Sequence, residues 1–352
     1  MQYTYRHMGI FSNTTDFFSL DIGTSAIRVV QMNGGKAKSL ARYGSLDIDP
    51  KIAVSDSHAD LQKLAQAVKQ VVADSKISTN NVVVGIPSQR TFMTVVDIQR
   101  LNVKELDQSI RLQADSLIPT PLDESKIDWS LLGDSPKSPD KVEILLGSVS
   151  NDFVEKRLDL LESIGFNVIA FEPDSLAITR SLIEPGVAAP QLIIDIGNDA
   201  TDLVITLNDA PRLIRSIPVG ISSIVRSAEQ SLGIDTKQAS QFVFKFGLGK
   251  EKLEGQIYNA IIGTIDNLVG EIEKSIKFFQ TRYEGVQIEK VIMTGGASSL
   301  PEFPLYIANK FSVNVEIGNS WRNVSFPQQR QDELLSASNK FAVAAGLAER
   351  TE

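Results

Sequence analysis

The sequence predicts an α/β protein of two lobes, each with its own sheet-plus-helix core, the second a duplicate of the first. Two stretches carry the prediction. FFSLDIGTSAIRVV (17–30) and QLIIDIGNDATDLVI (191–205) repeat one pattern: a strand ending in Asp-Ile-Gly, a small polar turn, then a second apolar strand. MTGGASSL (293–300) adds a third glycine turn between them and the C-terminus. A Gly-rich turn between two strands can bring backbone N–H groups and hydroxyls up to phosphate oxygens. An aspartate entering such a turn can hold a metal ion against the same phosphates. Together these features point to a two-lobed nucleotide clamp.

The elements follow in order. After the first hairpin, KAKSLARYGSLDI (36–48) reads as a third strand, with turn chemistry at Asp47–Pro50. Residues 57–75 form a helix on Leu61, Leu64, Ala65, Val68, Val71 and Val72, with Ser57 or Asp56 as its cap. NVVVGIP (81–87) is uniformly apolar, as in a strand buried on both faces. Residues 90–165 read as a separate unit. Strand TFMTVVDI (91–98) precedes a helix on Leu106, Ile110, Ala114 and Leu117, which Pro119 and Pro121 stop. GDSPKSPD (133–140) is a polar turn, and VEILLGSV (142–149) a strand. A helix on Val154, Leu158 and Leu161 closes the unit at Gly165.

Strand VIAF (168–171) and a helix from Pro173 then lead into the second hairpin. Pro218-Val219-Gly220 ends a strand, and 221–233 is a helix closed by Gly233. Residues 235–285 are largely helical, 288–296 is strand-then-turn, and 300–312 a helix. KFAVAAGLAE (340–349) is a helix of small residues, which lets backbones approach closely.

Composition narrows the chemistry. The chain has 352 residues, 42% of them hydrophobic, and a formal net charge of −8. That is a folded protein of two or three domains, with no nucleic-acid surface as its main business. No apolar run approaches the ~20 residues of a membrane span. The opening MQYTYRHMGIFSNTTD is polar, is expected to fray, and leaves Met8 as an alternative start. There is no cysteine, and the only histidines are His7 and His58. A serine–histidine triad, a thiol nucleophile or a histidine-rich metal site is therefore excluded. Chemistry must rest on carboxylates, hydroxyls, backbone amides and Mg²⁺.

Two strand–DIG–strand units in two α/β halves resemble the actin-like ATPase superfamily. The resemblance implies phosphate-gripping hairpins at Asp21, Gly23, Thr24 and Ser25 and at Asp195, Gly197, Asn198 and Thr201. It also implies an adenosine turn at Gly295, Gly296 and Ala297. Arg28 falls where the family has a basic residue that reaches the phosphates. FEPDSLAITRSL resembles the family's Glu-Pro helix start, making Glu172 the orienter of an attacking water, with Asp195 as its catalytic companion. EIEKSI resembles the segment framing adenine and ribose, which points to Glu271, Lys274 and Ser275. ATP and Mg²⁺ are the implied cofactors, with Asp21 and Asp195 holding the metal. Each residue also has a plainer reading. The DIG turns could be tight strand connections, Arg28 a surface ion pair, Glu172-Pro173 an ordinary helix start, and Lys274 a solvated side chain. Asp199 in the second turn would either oppose a phosphate or point outward as a turn-former.

The unit at 90–165 lies where the FtsA and PilM branches carry an inserted subdomain. VKELDQSIRLQADSLIPTPLDESKIDWSLL, LLESIGFNVIAFEPDSLAITRSL and EIEKSIKFFQTRYEGVQIEKVIMTGGASSLPEFPLYIANKF resemble the PilM family in particular, including an Asp-Trp strand after the prolines. An FtsA would be expected to continue into a membrane-targeting helix after Glu352. The implied organisation is a flexible 1–15 and a first-lobe core of 16–89, 166–190 and 325–352. The inserted subdomain is 90–165, the second-lobe core 191–234 and 286–324, and a helical subdomain 235–285. The implied function is a cytoplasmic, ATP-binding adaptor of type IV pilus assembly, recruited to the inner face of the membrane. Its partner would be the N-terminal cytoplasmic tail of a PilN-like membrane protein, docked between the first lobe and the 90–165 unit near Leu106, Ile110, Leu117 and Ile118, although residue by residue these fit better as that unit's own core. Other pilus components are implied as further partners, and self-association stays open. A filament-forming, FtsA-like division ATPase and the actin-fold part of a type II secretion protein remain alternatives.

Overall fold

In the computed structural model, which describes residues 16–34 and 37–351, the first hairpin is β1 (Phe18–Ile22) and β2 (Ala26–Asn33), followed by β3 (Lys38–Asp47). The expectations on the opening segment and His7 fall outside the described residues. Helix α1 (Pro50–Val54) precedes α2 (His58–Asp74), whose first turn is capped by the Ser57 hydroxyl accepting from Asp60 N–H. Of the six apolar positions read on α2, Leu64, Ala65, Val68, Val71 and Val72 are buried, and Leu61, in the first turn, is half-buried. Strand β4 (Asn81–Ile86) runs parallel to β1, and its three valines are buried.

The next elements form a sheet of their own. They are β5 (Thr91–Gln99), α3 (Val103–Leu117), β6 (Ser125–Asp134) and β7 (Lys141–Ser150), with strand order β5-β7-β6. Alternation puts Ile98, Ile144 and Leu146 on one face, where they pack with Leu106, Ile110 and Ile118. Of the four residues weighed as groove lining or as core, Leu106, Ile110 and Ile118 are the core of this small sheet, and Leu117 packs partly buried against it. The chain returns through α4 (Asn151–Ser163) to β8 (Asn167–Pro173), which pairs with β4. The short strand β14 (Val324–Ser325) completes the first sheet, in the order β14-β3-β2-β1-β4-β8.

The second sheet repeats the plan. After α5 (Asp174–Leu182) come β9 (Gln191–Ile196), β10 (Thr201–Leu207) and β11 (Ala210–Ile217). Then follow α6 (Ile221–Leu232), α7 (Thr236–Phe246), the long α8 (Gln256–Arg282), β12 (Lys290–Thr294), α9 (Phe303–Phe311) and β13 (Asn314–Ile317). The strand order is β11-β10-β9-β12-β13. One face of this sheet packs on α8, with Ile194 and Leu203 meeting Ile265, Leu268 and Ile272. The opposite face, with Ile193, Val204 and Ile292, packs on Ala177 and Ile178 of α5.

Helix α10 (Gln331–Ala337) leads to the final α11 (Ala342–Ala348), which lies against α5 between the two sheets. The crossing is close because Gly346 has no side chain; a Cβ there would sit 1.8 Å from the Ala177 carbonyl oxygen. The two lobes therefore share a pair of packed helices, and both hairpin turns open toward the head of α5.

Candidate functional site

The two hairpins are copies down to the hydrogen bond. In each, Asp-Ile closes a turn in which the glycine N–H donates to an alanine carbonyl three residues on: Gly23 to Ala26 at 3.1 Å, Gly197 to Ala200 at 2.9 Å. In each, the aspartate faces, across the hairpin, the residue seven positions later. Asp21 faces Arg28, and Asp195 faces Asp202. At equivalent places the first hairpin carries a cation and the second a carboxylate.

That difference sets the electrostatics. Asp21 is buried, and its carboxyl is raised by desolvation, opposed by Arg28, whose Nη1 lies 3.5 Å from Oδ2. Asp195 has no such counter-ion directly opposite. Burial, then the charges of Asp202 and Asp21, push it up to about 7 against a smaller pull from Arg28. Asp202 is raised by burial and pulled back by the Ser216 and Ser88 hydroxyls. Asp174, at the first turn of α5, is raised well above the ordinary range by burial and by Asp21, Asp202, Asp195 and Glu172 in turn. Its Oδ1, the Oδ1 of Asp202 and the Nε of Arg28 are buried without a hydrogen-bond partner. The cleft thus holds unspent acceptors and a donor side by side, which is how sites awaiting a charged ligand look.

Sequence reasoning missed Asp174 and Asp202. The signal for Asp202 was present, because the seven-residue offset that pairs Asp21 with Arg28 also pairs Asp195 with Asp202.

The other expected residues divide. Thr24 and Ser25 sit on the first turn, where the Ser25 carbonyl accepts from Ile48 N–H at 3.0 Å. Asn198 donates to Asp199 Oδ1 at 2.8 Å, and Ser222 Oγ donates to the same oxygen at 3.1 Å. Asp199 is thereby held at the start of α6, where a negative charge is favourable. Thr201 is fully buried, and its hydroxyl donates to the Val219 carbonyl at 2.7 Å.

Gly295 has φ +82°, and a Cβ there would come within 2.4 Å of Asp195 Oδ1. Its N–H donates to the Asn339 carbonyl at 2.7 Å, which ties the second lobe to the segment entering α11. Gly296 faces open space, whereas Ala297 is part of the second-lobe core.

Two expected groups are held in ion pairs. Glu172 is buried, with Arg180 Nη2 at 2.5 Å from Oε1 and Arg350 Nη1 at 2.9 Å from Oε2. It is clamped between α5 and the end of the chain. Asp174, two residues on, is the acid that the carboxylate group surrounds. Glu271, Lys274 and Ser275 gather around Arg215 of β11. Its Nη2 is 2.6 Å from Glu271 Oε2, and its Nη1 donates to Ser275 Oγ at 2.9 Å. Lys274 pairs with Glu271 at 2.6 Å. Arg215 faces Leu203 and, beyond it, Ile194, so this cluster sits on the α8 side of the sheet. Asp195, Asp202 and Ser216 align on the α5 side. By strand alternation the two groups stand on opposite faces of the sheet, and Arg215 and Ser216 both line one cavity.

A cavity of about 420 Å³ is lined by Ser88 and Gln89 of the first lobe, Phe92 and Met93 of β5, and Arg215 and Ser216 of β11, and Ser88 and Ser216 adjoin Asp202.

Comparison with known proteins fits this architecture. A "PilM-PilN type IV pilus biogenesis complex" structure superposes with a TM-score of 0.82 at 24% identity, covering 96% of this chain and 99% of that one. The ethanolamine utilization protein EutJ from Carboxydothermus hydrogenoformans follows at 0.59 and 13% identity, covering 96% and 90%. MreB5 of Spiroplasma citri bound to ADP gives 0.54 and 15%, covering 95% of each. The fold is the two-lobed actin-like one. Residues 19–352 match the family described as "Type IV pilus assembly protein PilM". With nearly the whole chain matched, the protein belongs to the PilM family of type IV pilus assembly proteins.

Proposed function

We propose that this protein is a cytoplasmic, nucleotide-binding adaptor of type IV pilus assembly. It holds ATP between the two Asp-Ile-Gly hairpins and captures the N-terminal cytoplasmic tail of a PilN-like membrane protein. The observation that carries the nucleotide part is the matched pair of turns around one cluster of buried, unpaired polar atoms. Gly23 and Gly197 present backbone at the turns, and Arg28 supplies the cation. Asp21, Asp195 and Asp202 form an acidic group that a divalent ion would neutralise. Among the described residues no three acidic or histidine side chains converge tightly enough to cage a metal by themselves. That suits Mg²⁺, which keeps water and phosphate oxygens and takes only one or two carboxylates. ATP would supply those phosphates. With Glu172 clamped by two arginines, nucleotide binding is the better supported role.

The peptide part rests on the junction between the first lobe and the 90–165 sheet. Arg90, in the turn before β5, and Arg157 of α4 each place a guanidinium 5.6 Å from the ring centroid of Phe153. Neither forms an ion pair among the described residues, and Arg157 Nη1 is buried without a partner. Burial, then the charge of Arg90, lower Arg157 to about 10. Two guanidinium groups flanking an aromatic face suit the carbonyls and apolar side chains of an extended peptide. The solved relative is titled as a PilM–PilN complex, and no helix among the described residues is long and apolar enough to cross a membrane. Both agree with an adaptor that reaches the membrane through a partner. Calorimetric titration of the partner's tail against a scrambled peptide tests this. Equal affinity for the two peptides would overturn it, as would an Arg157→Ala variant that binds the tail as wild type does.

A further inference from the structure

We infer that a buried ionic cluster centred on Glu143 straps the 90–165 sheet to the second lobe, so that this sheet moves with that lobe and not with the first, into which its chain is inserted. This deepens the reading above, since it says how the peptide junction would be regulated, but its geometry stands independently of any nucleotide.

Asp97 of β5 and Glu143 of β7 face each other directly across the sheet. Like charges in that relation destabilise a sheet, so taken alone this face is self-repelling. Its cations come from the other lobe. Arg282, the last residue of α8, places Nε 2.8 Å from Glu143 Oε1 and Nη2 2.7 Å from Asp97 Oδ1. Tyr283 OH donates to Glu143 Oε1 at 2.9 Å. Arg212 of β11 lies with Nε 3.4 Å from Glu143 Oε2, and its Nη2 donates to the Leu132 carbonyl of β6 at 3.1 Å. All three strands of the small sheet are gripped. Glu143, Tyr283 and Arg212 are 2%, 5% and 7% exposed, so the cluster is shielded from water. Two carboxylates meet two guanidiniums, and partial opening would leave buried charges unpaired. Such a network holds or releases as a unit.

The second lobe presents these arginines on a rigid frame. Arg212 and Ser216 share strand β11, roughly 13 Å apart along it, and Ser216 faces Asp202 of the nucleotide cleft. Arg215 on the same strand is held by Glu271 and Ser275 of α8, the helix that ends at Arg282. Strand and helix therefore form one body running from the cleft to the strap. On the first-lobe side, the small sheet is joined by two chain crossings, at residues 87–91 and 150–151. Those crossings flank Arg90, Phe153 and Arg157. A rotation of the second lobe would drag the sheet across that junction and reshape it, which couples cleft to junction in both directions.

The chain has no cysteine, so introduced pairs can be spin-labelled without background. Leu112→Cys on α3 with Leu305→Cys on α9 reports the distance from sheet to second lobe. Leu112→Cys with Lys63→Cys on α2 reports sheet to first lobe. All three positions are exposed. In nucleotide-free protein, pulsed electron paramagnetic resonance should give the narrower distribution for the sheet–second-lobe pair. Arg282→Gln should reverse that order. Asp97→Asn, at a partly exposed position, serves the same purpose if Arg282→Gln does not fold. A narrower sheet–first-lobe distribution in wild type, or an order unchanged in the folded variant, overturns the inference. Because this comparison uses no ligand, a failure of ATP binding would sink the proposed function and leave the strap to be judged on its own data.

Discussion

Glu172→Ala separates a clamped residue from a free catalytic one. The carboxylate is 4% exposed and takes one arginine on each oxygen, at 2.5 and 2.9 Å. Removing one member of a buried pair costs about 3–5 kcal/mol because the partner's charge is stranded. Here the stranded groups are Arg180 and Arg350, 32% and 21% exposed, and Arg180 keeps its bond to the Gly346 carbonyl. Water can resolvate both in part, which lowers the expected loss to about 2–3 kcal/mol. For a chain of 352 residues that corresponds to a fall in melting temperature of roughly 3–4 °C. Thermal unfolding followed by circular dichroism, without nucleotide, is the assay. Glu172→Gln keeps a neutral acceptor and should fall less. A carboxylate held free for orienting water would be dispensable to the fold. A Glu172→Ala melting temperature within about 1 °C of wild type would therefore refute the clamp and restore Glu172 to the cleft.

Two further outcomes test other parts of the account. Gly346→Ala must push α11 off the Ala177 carbonyl, and urea unfolding should show a loss of about 3 kcal/mol; an unchanged midpoint would mean the helices do not cross as described. Burial raises Glu349 to about 7 from 4.5, and its Oε1 has no partner. The folded protein thus holds this proton more tightly than the unfolded chain. The resulting stability is present in full below the unfolded value and is lost as pH rises through 7, by at most about 3 kcal/mol. Glu349→Gln should therefore be more stable than wild type at pH 8 and nearly equal at pH 5, in paired urea titrations. A constant gap would remove Glu349 from the pH dependence.

What was legible in the sequence was what depends on near neighbours. Strand–turn–strand periodicity placed both hairpins, and the apolar spacing of α2 and the prolines after α3 marked those helices correctly. Family resemblance supplied the two-lobed actin-like arrangement. The rest turned on pairs remote in the chain. Glu172 reads as a catalytic glutamate until Arg350, 178 residues away, is seen on its second oxygen. Glu271 and Ser275 resemble an adenosine frame, yet a strand register puts their partner Arg215 on the face away from the carboxylates. Leu106 and Ile110 could line a groove or fill a core, and periodicity is the same for both. Asp97 and Glu143 gave no sign that their counter-ions come from the other lobe. Asp199, which looked like a threat to phosphate binding, is held by the Asn198 amide and the Ser222 hydroxyl at the start of α6, a placement that only the turn geometry reveals.

The central functional proposal is that a nucleotide sits between the two hairpins with its metal against Asp195. Calorimetric titration of Mg-ATP into wild type and Asp195→Ala, each first shown to melt cooperatively, tests it most directly. The account predicts one-to-one binding by wild type and no measurable binding by the variant, with the fold retained. A folded Asp195→Ala protein that binds Mg-ATP as tightly as wild type would contradict it.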